Sequence, residues 1–312
     1  MVQVIQIGMN SSDLAGSLRF HEALGFLNAG GQGLWGEAIR TQGLEADSRA
    51  IMWWMVGPQP FFQLEFFHHT NPAQRPLPAD WNPADRGWTR CGYVVDDLDA
   101  ITDALFAMGI TALAPPSGAP GERRVAFREP YVGVVVELME RAAAPPWCHP
   151  TSPALVYAAT SVSDLEGARK YYSEIVAPGA VTIRLESLHS AEHEALWGLG
   201  GRERAGAVFL LNEVAVEIVA YRDPGRPRPD DYRSSDQGVV NIALGSRSVP
   251  EIRSTFGRLA AAGLVPPSLV DIPHFCGGYI VEPERELEIV AVEHEMDELL
   301  GFRPANPFLS TP

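Results

Sequence analysis

Residues 64–87, LEFFHHTNPAQRPLPADWNPADRG, return later in the chain as residues 216–238, VEIVAYRDPGRPRPDDYRSSDQG. In both copies an apolar stretch carrying one glutamate runs into a proline-rich connection. Pro76 and Pro78 match Pro227 and Pro229, and Gly87 matches Gly238, each pair 151 positions apart. The same offset relates Asp13-Leu14 and Gly16 to Asp164-Leu165 and Gly167, and Glu137 to Glu288. A single match would carry little weight, but several at one offset mark an internal duplication. Leu34-Trp35-Gly36 recurs as Leu196-Trp197-Gly198 at an offset of 162, which puts an insertion in the second copy around Pro178 to Leu188.

Outward from that stretch, each half repeats one order of elements. VQVIQIGMN alternates as a half-buried strand. Ser12-Asp13 then supplies an N-cap for a helix whose apolar face holds Leu14, Leu18 and Leu24 and which stops at Gly25. IMWWMV and PFFQLEFF read as strands rich in aromatic residues. After the proline-rich connection the order repeats: strand TRCGYVV, a helix in DDLDAITDALFAMGI capped by Asp96 or Asp97, then strands in GERRVAFREP and GVVVELME. The second half runs the same course from ALVYAATSV to ELEIVAVE. The expected fold is α+β, four βαβββ modules in two tandem domains, residues 1–141 and 153–312. The linker 142–152 lies in an Ala- and Pro-rich stretch that extends neither helix nor ladder.

At 312 residues the chain has room for about two ordinary domains. Acidic residues outnumber basic ones 39 to 24, and the net charge of −15 repels phosphate backbones and anionic lipid. Nucleic acid and membrane are therefore not expected partners; a small molecule is. The three cysteines have no CxxC spacing and read as reduced thiols. No basic-then-apolar leader is visible, and no apolar run approaches the roughly 20 residues of a membrane span. A cytoplasmic monomer or homodimer is expected.

In this order the motifs resemble the vicinal oxygen chelate superfamily, the group of glyoxalase I, bleomycin- and fosfomycin-resistance proteins and extradiol dioxygenases. They are a strand before Ser-Asp-Leu (12–14 and 163–165), an aromatic FH or YY late in the helix, VDDLDA at 95–100, and an acidic-Pro loop before Val-Glu-Leu or Leu-Glu-Ile. The resemblance implies cup-shaped mixed sheets flanked by helices, each cup able to hold a divalent metal and an oxygenated substrate. The family's metal positions fall on Gln6, Glu65, Arg90 and Glu137 in the first half, and on Tyr157, Glu217, Asn241 and Glu288 in the second. All four carboxylates are present and every histidine of the pattern is missing.

Taken half by half, Arg90 puts a fixed cation where the first cup would hold its metal. The second cup, with Tyr157, Glu217, Asn241 and Glu288, offers only oxygen donors. That set suits Mg²⁺, Mn²⁺ or Ca²⁺ better than iron or zinc, or else a metal-free acid–base site. The expected catalytic residues are Tyr157, Glu217, Tyr279 and Glu288, with Glu217, Asn241 and Glu288 as metal ligands. His69, Trp197, Tyr221 and His274 are expected to contact substrate. His189 and His193 are one helical turn apart, which allows a metal pair, though a flap or exposed helix fits better. Two functions stay open. One is a glyoxalase- or dioxygenase-like enzyme doing enolate-type isomerase or lyase chemistry on a small oxygenated, aromatic or polycyclic molecule. The other is a drug- or metabolite-binding protein of the bleomycin-resistance type. Extradiol ring cleavage is disfavoured by the missing histidines.

Overall fold

The structure, a computed structural model, describes residues 2–223, 225–282 and 284–305. The first module comprises β1 (Gln3–Asn10), α1 (Leu14–Ala23), β2 (Leu27–Trp35), the short α2 (Glu37–Arg40), β3 (Arg49–Val56) and β4 (Gln63–Asn71). The second comprises β5 (Gly87–Val95), α3 (Leu98–Ala107), β6 (Arg124–Arg128) and β7 (Val135–Glu140). The third comprises β8 (Ala154–Ser161), α4 (Leu165–Lys170), β9 (Val181–Ile183), β10 (Arg204–Leu211) and β11 (Val214–Tyr221). The fourth comprises β12 (Gly238–Ser246), α5 (Val249–Ala261), β13 (Val270–Ile272), β14 (Phe275–Ile280) and β15 (Leu287–Val292).

Helix starts follow the expected side chains. Asp13, Asp97 and Asp164 accept from the backbone N–H of Gly16, Ala100 and Gly167, which satisfies donors that the first turn leaves free. Gly25 and Gly109 follow α1 and α3 with φ of +99° and +78°, a region that only glycine enters at little cost. In the second module a lone bridge between Ala112 and Phe127 stands where the other modules have a further strand.

The strands form two curled sheets flanked by the helices, and the sheets do not follow the two halves. A terminal sheet of eight strands runs β13-β14-β15-β12-β1-β4-β3-β2, and a central sheet of seven runs β6-β7-β5-β8-β11-β10-β9. Antiparallel pairing of β1 with β12 joins the first module to the fourth, and pairing of β5 with β8 joins the second to the third. Each sheet therefore takes one module from each half. Along every central strand, alternate residues face opposite ways. One set, including Ile7, Met9, Leu64, Phe66, Ile242 and Leu287 of the terminal sheet, meets Tyr93, Val136, Leu138, Val216 and Ile218 of the central sheet in one apolar core. The other set lines the two concave faces, and it carries all the polar residues picked out by the repeat.

Candidate functional site

The cross-half pairing regroups the expected site residues. Tyr157 and Glu217 lie on β8 and β11 of the central sheet, whereas Asn241 and Glu288 lie on β12 and β15 of the terminal sheet. The single second-half cup expected from the sequence is thus two sites. The eight family positions sort as Arg90, Glu137, Tyr157 and Glu217 in the central cup, and Gln6, Glu65, Asn241 and Glu288 in the terminal cup.

The central cup is filled by its own side chains. His189 sits between the two carboxylates, its Nδ1 2.8 Å from Glu217 Oε2 and its Nε2 3.3 Å from Glu137 Oε2. Tyr157 and Trp197 also donate to Glu137, at 2.6 and 3.1 Å. Arg90 pairs with Glu217 at 3.1 Å, lies 3.9 Å from the centre of the Trp197 ring, and donates to the Tyr221 hydroxyl. Arg124 pairs with Glu137, and Arg204 with both Glu194 and Glu217. Three arginines thus balance three glutamates, and the imidazole occupies the place between carboxylates that a cation would take. Burial alone would lower the His189 pKa; the charges of Glu217 and Glu137 overcome it and hold it above the ordinary value. Burial also works against ionised Glu137 and Glu217, but His189 with Arg124 and Arg90 holds both carboxyls low.

This corrects several expectations. Arg90, expected in a first-half cup, pairs with Glu217 of the second half. Glu217 is engaged by three basic side chains, Arg90, His189 and Arg204. Tyr157, Trp197 and Tyr221 belong to the same hydrogen-bond network. His189 is fully buried, neither on a flap nor on an exposed helix. His274 is exposed beside Glu293 and Glu295 and does not line the terminal cavity, although its neighbours Ile272 and Phe275 do.

The terminal cup is open. Glu65, Glu288, Gln6, Gln42, Trp54 and Tyr279 stand at the polar part of a cavity of about 270 Å³. Its remaining wall is largely aliphatic and aromatic, and no Lys, Arg or His lines it among the described residues. Gln6 Nε2 reaches both acids, 2.5 Å from Glu65 Oε2 and 3.1 Å from Glu288 Oε2, and Gln63 holds the Gln6 carbonyl at 2.7 Å. Trp54 Nε1 donates to Glu65 at 3.0 Å. Tyr279, the register partner of Glu288, receives a 3.5 Å contact from Gln42. Burial, then the charge of Glu288, raises the Glu65 pKa well above the carboxylate range. Burial likewise pushes Glu288 up to about 7, with Tyr279 and Gln6 opposing.

Asn241 lies on the same face of the terminal sheet, beyond the residues that line the cavity. It pairs with Gly8 across β1 and β12, and Gly8 pairs with Glu65 on its other side. A Cβ on Gly8 would fall 2.1 Å from Asn241 Oδ1, so the amide leans over the bare glycine. Asn241 is fully buried and neither amide atom has a hydrogen-bond partner among the described residues. Glu65, Asn241 and Glu288 offer hard oxygen donors, whereas Gln6 turns its amide nitrogen toward both acids. The three oxygen donors fit a hard divalent ion. His69 shares the Glu65 and Phe67 face of β4 but does not line the cavity; both its ring nitrogens are buried without partners. Burial lowers its pKa to about 4, leaving it neutral. Gln42 and Trp54 were not singled out from the sequence, since neither occupies a repeat position of the metal pattern.

No family model matches the sequence, and no curated protein matches it. Solved structures do. A glyoxalase I variant from Zea mays superposes with a TM-score of 0.59 at 13% identity, covering 97% of each chain. A candidate dioxygenase from Bacillus subtilis superposes with the same score at 14% identity, covering 99% of this chain and 93% of its own. The chain therefore shares the fold of these two structures, and the likeness extends over nearly its whole length. No helix is long and apolar enough to cross a membrane.

Proposed function

We propose that the chain is a vicinal oxygen chelate enzyme whose active site is the terminal cup, with enolate-type isomerase or lyase chemistry on a small oxygenated molecule. The observation that carries this reading is the pair of buried acids, Glu65 and Glu288, facing a largely apolar cavity lined by no Lys, Arg or His among the described residues. Burying two carboxyls without compensation is costly, and such groups are retained where chemistry uses them.

Glu65, Asn241 and Glu288 would hold a divalent ion of the Mg²⁺, Mn²⁺ or Ca²⁺ type, with the Gln6 amide nitrogen hydrogen-bonded to the two carboxylates. When bound, it would polarise the substrate oxygens and stabilise an enolate. Glu65 is fixed by Trp54 and Gln6 and serves to position. Glu288 is held more loosely, and its raised pKa suits a group that takes a proton from carbon at neutral pH and returns it. Tyr279 stands beside it as a hydroxyl donor to the substrate oxygen. The apolar wall keeps water from the carbanion and accepts the hydrocarbon body of the substrate. Ring cleavage by iron stays disfavoured, because no histidine lines the cavity to supply a two-histidine, one-carboxylate set.

The test is hydrogen–deuterium exchange at the carbon beside the carbonyl of 2-tetralone, followed by NMR with added Mn²⁺ or Mg²⁺. Exchange is expected with the wild type and is expected to fall at least about a hundredfold in Glu288→Gln. Exchange that is equal in the variant removes Glu288 as the base. Tight tetralone binding without exchange, unaltered by Glu288→Gln, favours the sequestering reading.

A further inference from the structure

We propose that the cavity between the two proline-rich connections is a second binding site, for a planar aromatic carboxylate. Residues 75–88 and 226–239 belong to copies of one connection, and they face each other across about 260 Å³ of space apart from both cups. Trp81, Trp88 and Tyr232 give it aromatic walls. Trp81 and Tyr232 are equivalent in the repeat (232 − 81 = 151), and each carries a guanidinium on its ring. Arg128 lies 5.1 Å from the Trp81 centroid and Arg228 lies 4.4 Å from the Tyr232 centroid.

The charge pattern separates these two arginines from their neighbours. Arg75 is neutralised by Asp231 and Asp236, Arg226 by Asp80 and Asp85, and Arg86 by Glu284. Asp85 and Asp236, the acids in the cavity wall, are therefore already engaged. Arg128 and Arg228 form no ion pair among the described residues. The Arg228 Nη2 makes one long bond, 3.4 Å to the Val239 carbonyl, and its Nε is buried without a partner. The nearby buried acid, Glu286, accepts from Ser234 Oγ at 2.9 Å and feels the Arg228 charge without a direct ion pair.

In a chain with 39 acidic and 24 basic residues, two partly buried guanidiniums left unpaired around one cavity need an anion from outside. The guanidinium fork matches a carboxylate, and the flat walls match an aromatic ring. Arg228 lines the cavity and holds the carboxylate; Arg128 adds charge from behind Trp81.

Calorimetric titration of the full chain with 1-naphthoate, and with neutral 1-naphthamide, tests this. Naphthoate is expected to bind once per chain and the amide at least about tenfold more weakly. Arg228→Gln is expected to weaken naphthoate by about ten- to a hundredfold, and Arg128→Gln by a smaller factor, so that one variant remains informative if the other does not fold. No naphthoate binding to the wild type, equal binding of acid and amide, or unchanged binding in both arginine variants would overturn the proposal. Loss of binding in Glu288→Gln would place the ligand in the terminal cup, and overturn it as well.

Discussion

Glu137 and Glu288 are the same residue in the two halves, yet their carboxyls are shifted in opposite directions. Glu137 is surrounded by His189, Arg124 and Tyr157 and is held ionised; Glu288 has only neutral donors and another acid beside it. Glu137→Gln should therefore cost about 3–5 kcal/mol, since it leaves buried cations without their partner. Glu288→Gln should be neutral or stabilising. Urea denaturation of the two variants measures the contrast, and equal losses would refute it. His189 supplies a pH signature. Its folded-state pKa is raised above the ordinary 6.5, so its stabilising contribution is complete below 6.5 and fades as pH rises through the folded value. The melting-temperature gap between wild type and His189→Gln should be widest on the acid side of 6.5 and narrow on the alkaline side. The four glutamates could be read from the sequence because Glu137 and Glu288 share the repeat offset and Glu65 and Glu217 stand in the matching apolar stretches. His189 could not, because it follows the insertion that breaks the offset.

At the scale of elements, caps and stops were legible because they are local chemistry. Asp97→Ala should destabilise by about 1 kcal/mol through loss of its bond to Ala100 N–H. Gly8 shows what local reading cannot reach: its lack of a side chain has meaning only once β12 lies beside β1. Gly8→Ala should push the Asn241 amide aside and weaken Mn²⁺ binding by about tenfold or more, with little change in secondary structure. Electron paramagnetic resonance titration of Mn²⁺ and circular dichroism would show it; undiminished Mn²⁺ affinity would argue against Asn241 as a ligand.

For the whole molecule, the sequence shows four modules but not their pairing. Strands β1, β5, β8 and β12 are equivalent, so the apolar pattern is satisfied equally by pairing within or across halves. The division at 142–152 remains a proposal about covalent units. A chain of residues 1–141 alone would leave β1 and β5 without β12 and β8. It is expected to aggregate or to dimerise, with a second copy supplying the missing edges. Size-exclusion chromatography decides; a stable monomer would show that modules one and two can pair directly.

The nesting of one sheet inside the other also orders events during synthesis. The central sheet is complete in sequence once Tyr221 has left the ribosome, whereas β1 waits for β12, which begins at Gly238. The terminal cup closes only after Glu288 has emerged, well after the last strand of the central sheet. A chain interrupted between Tyr221 and Gly238 would therefore own every strand of the central sheet and half of the terminal one. In this architecture the first strand made is among the last to find both its partners.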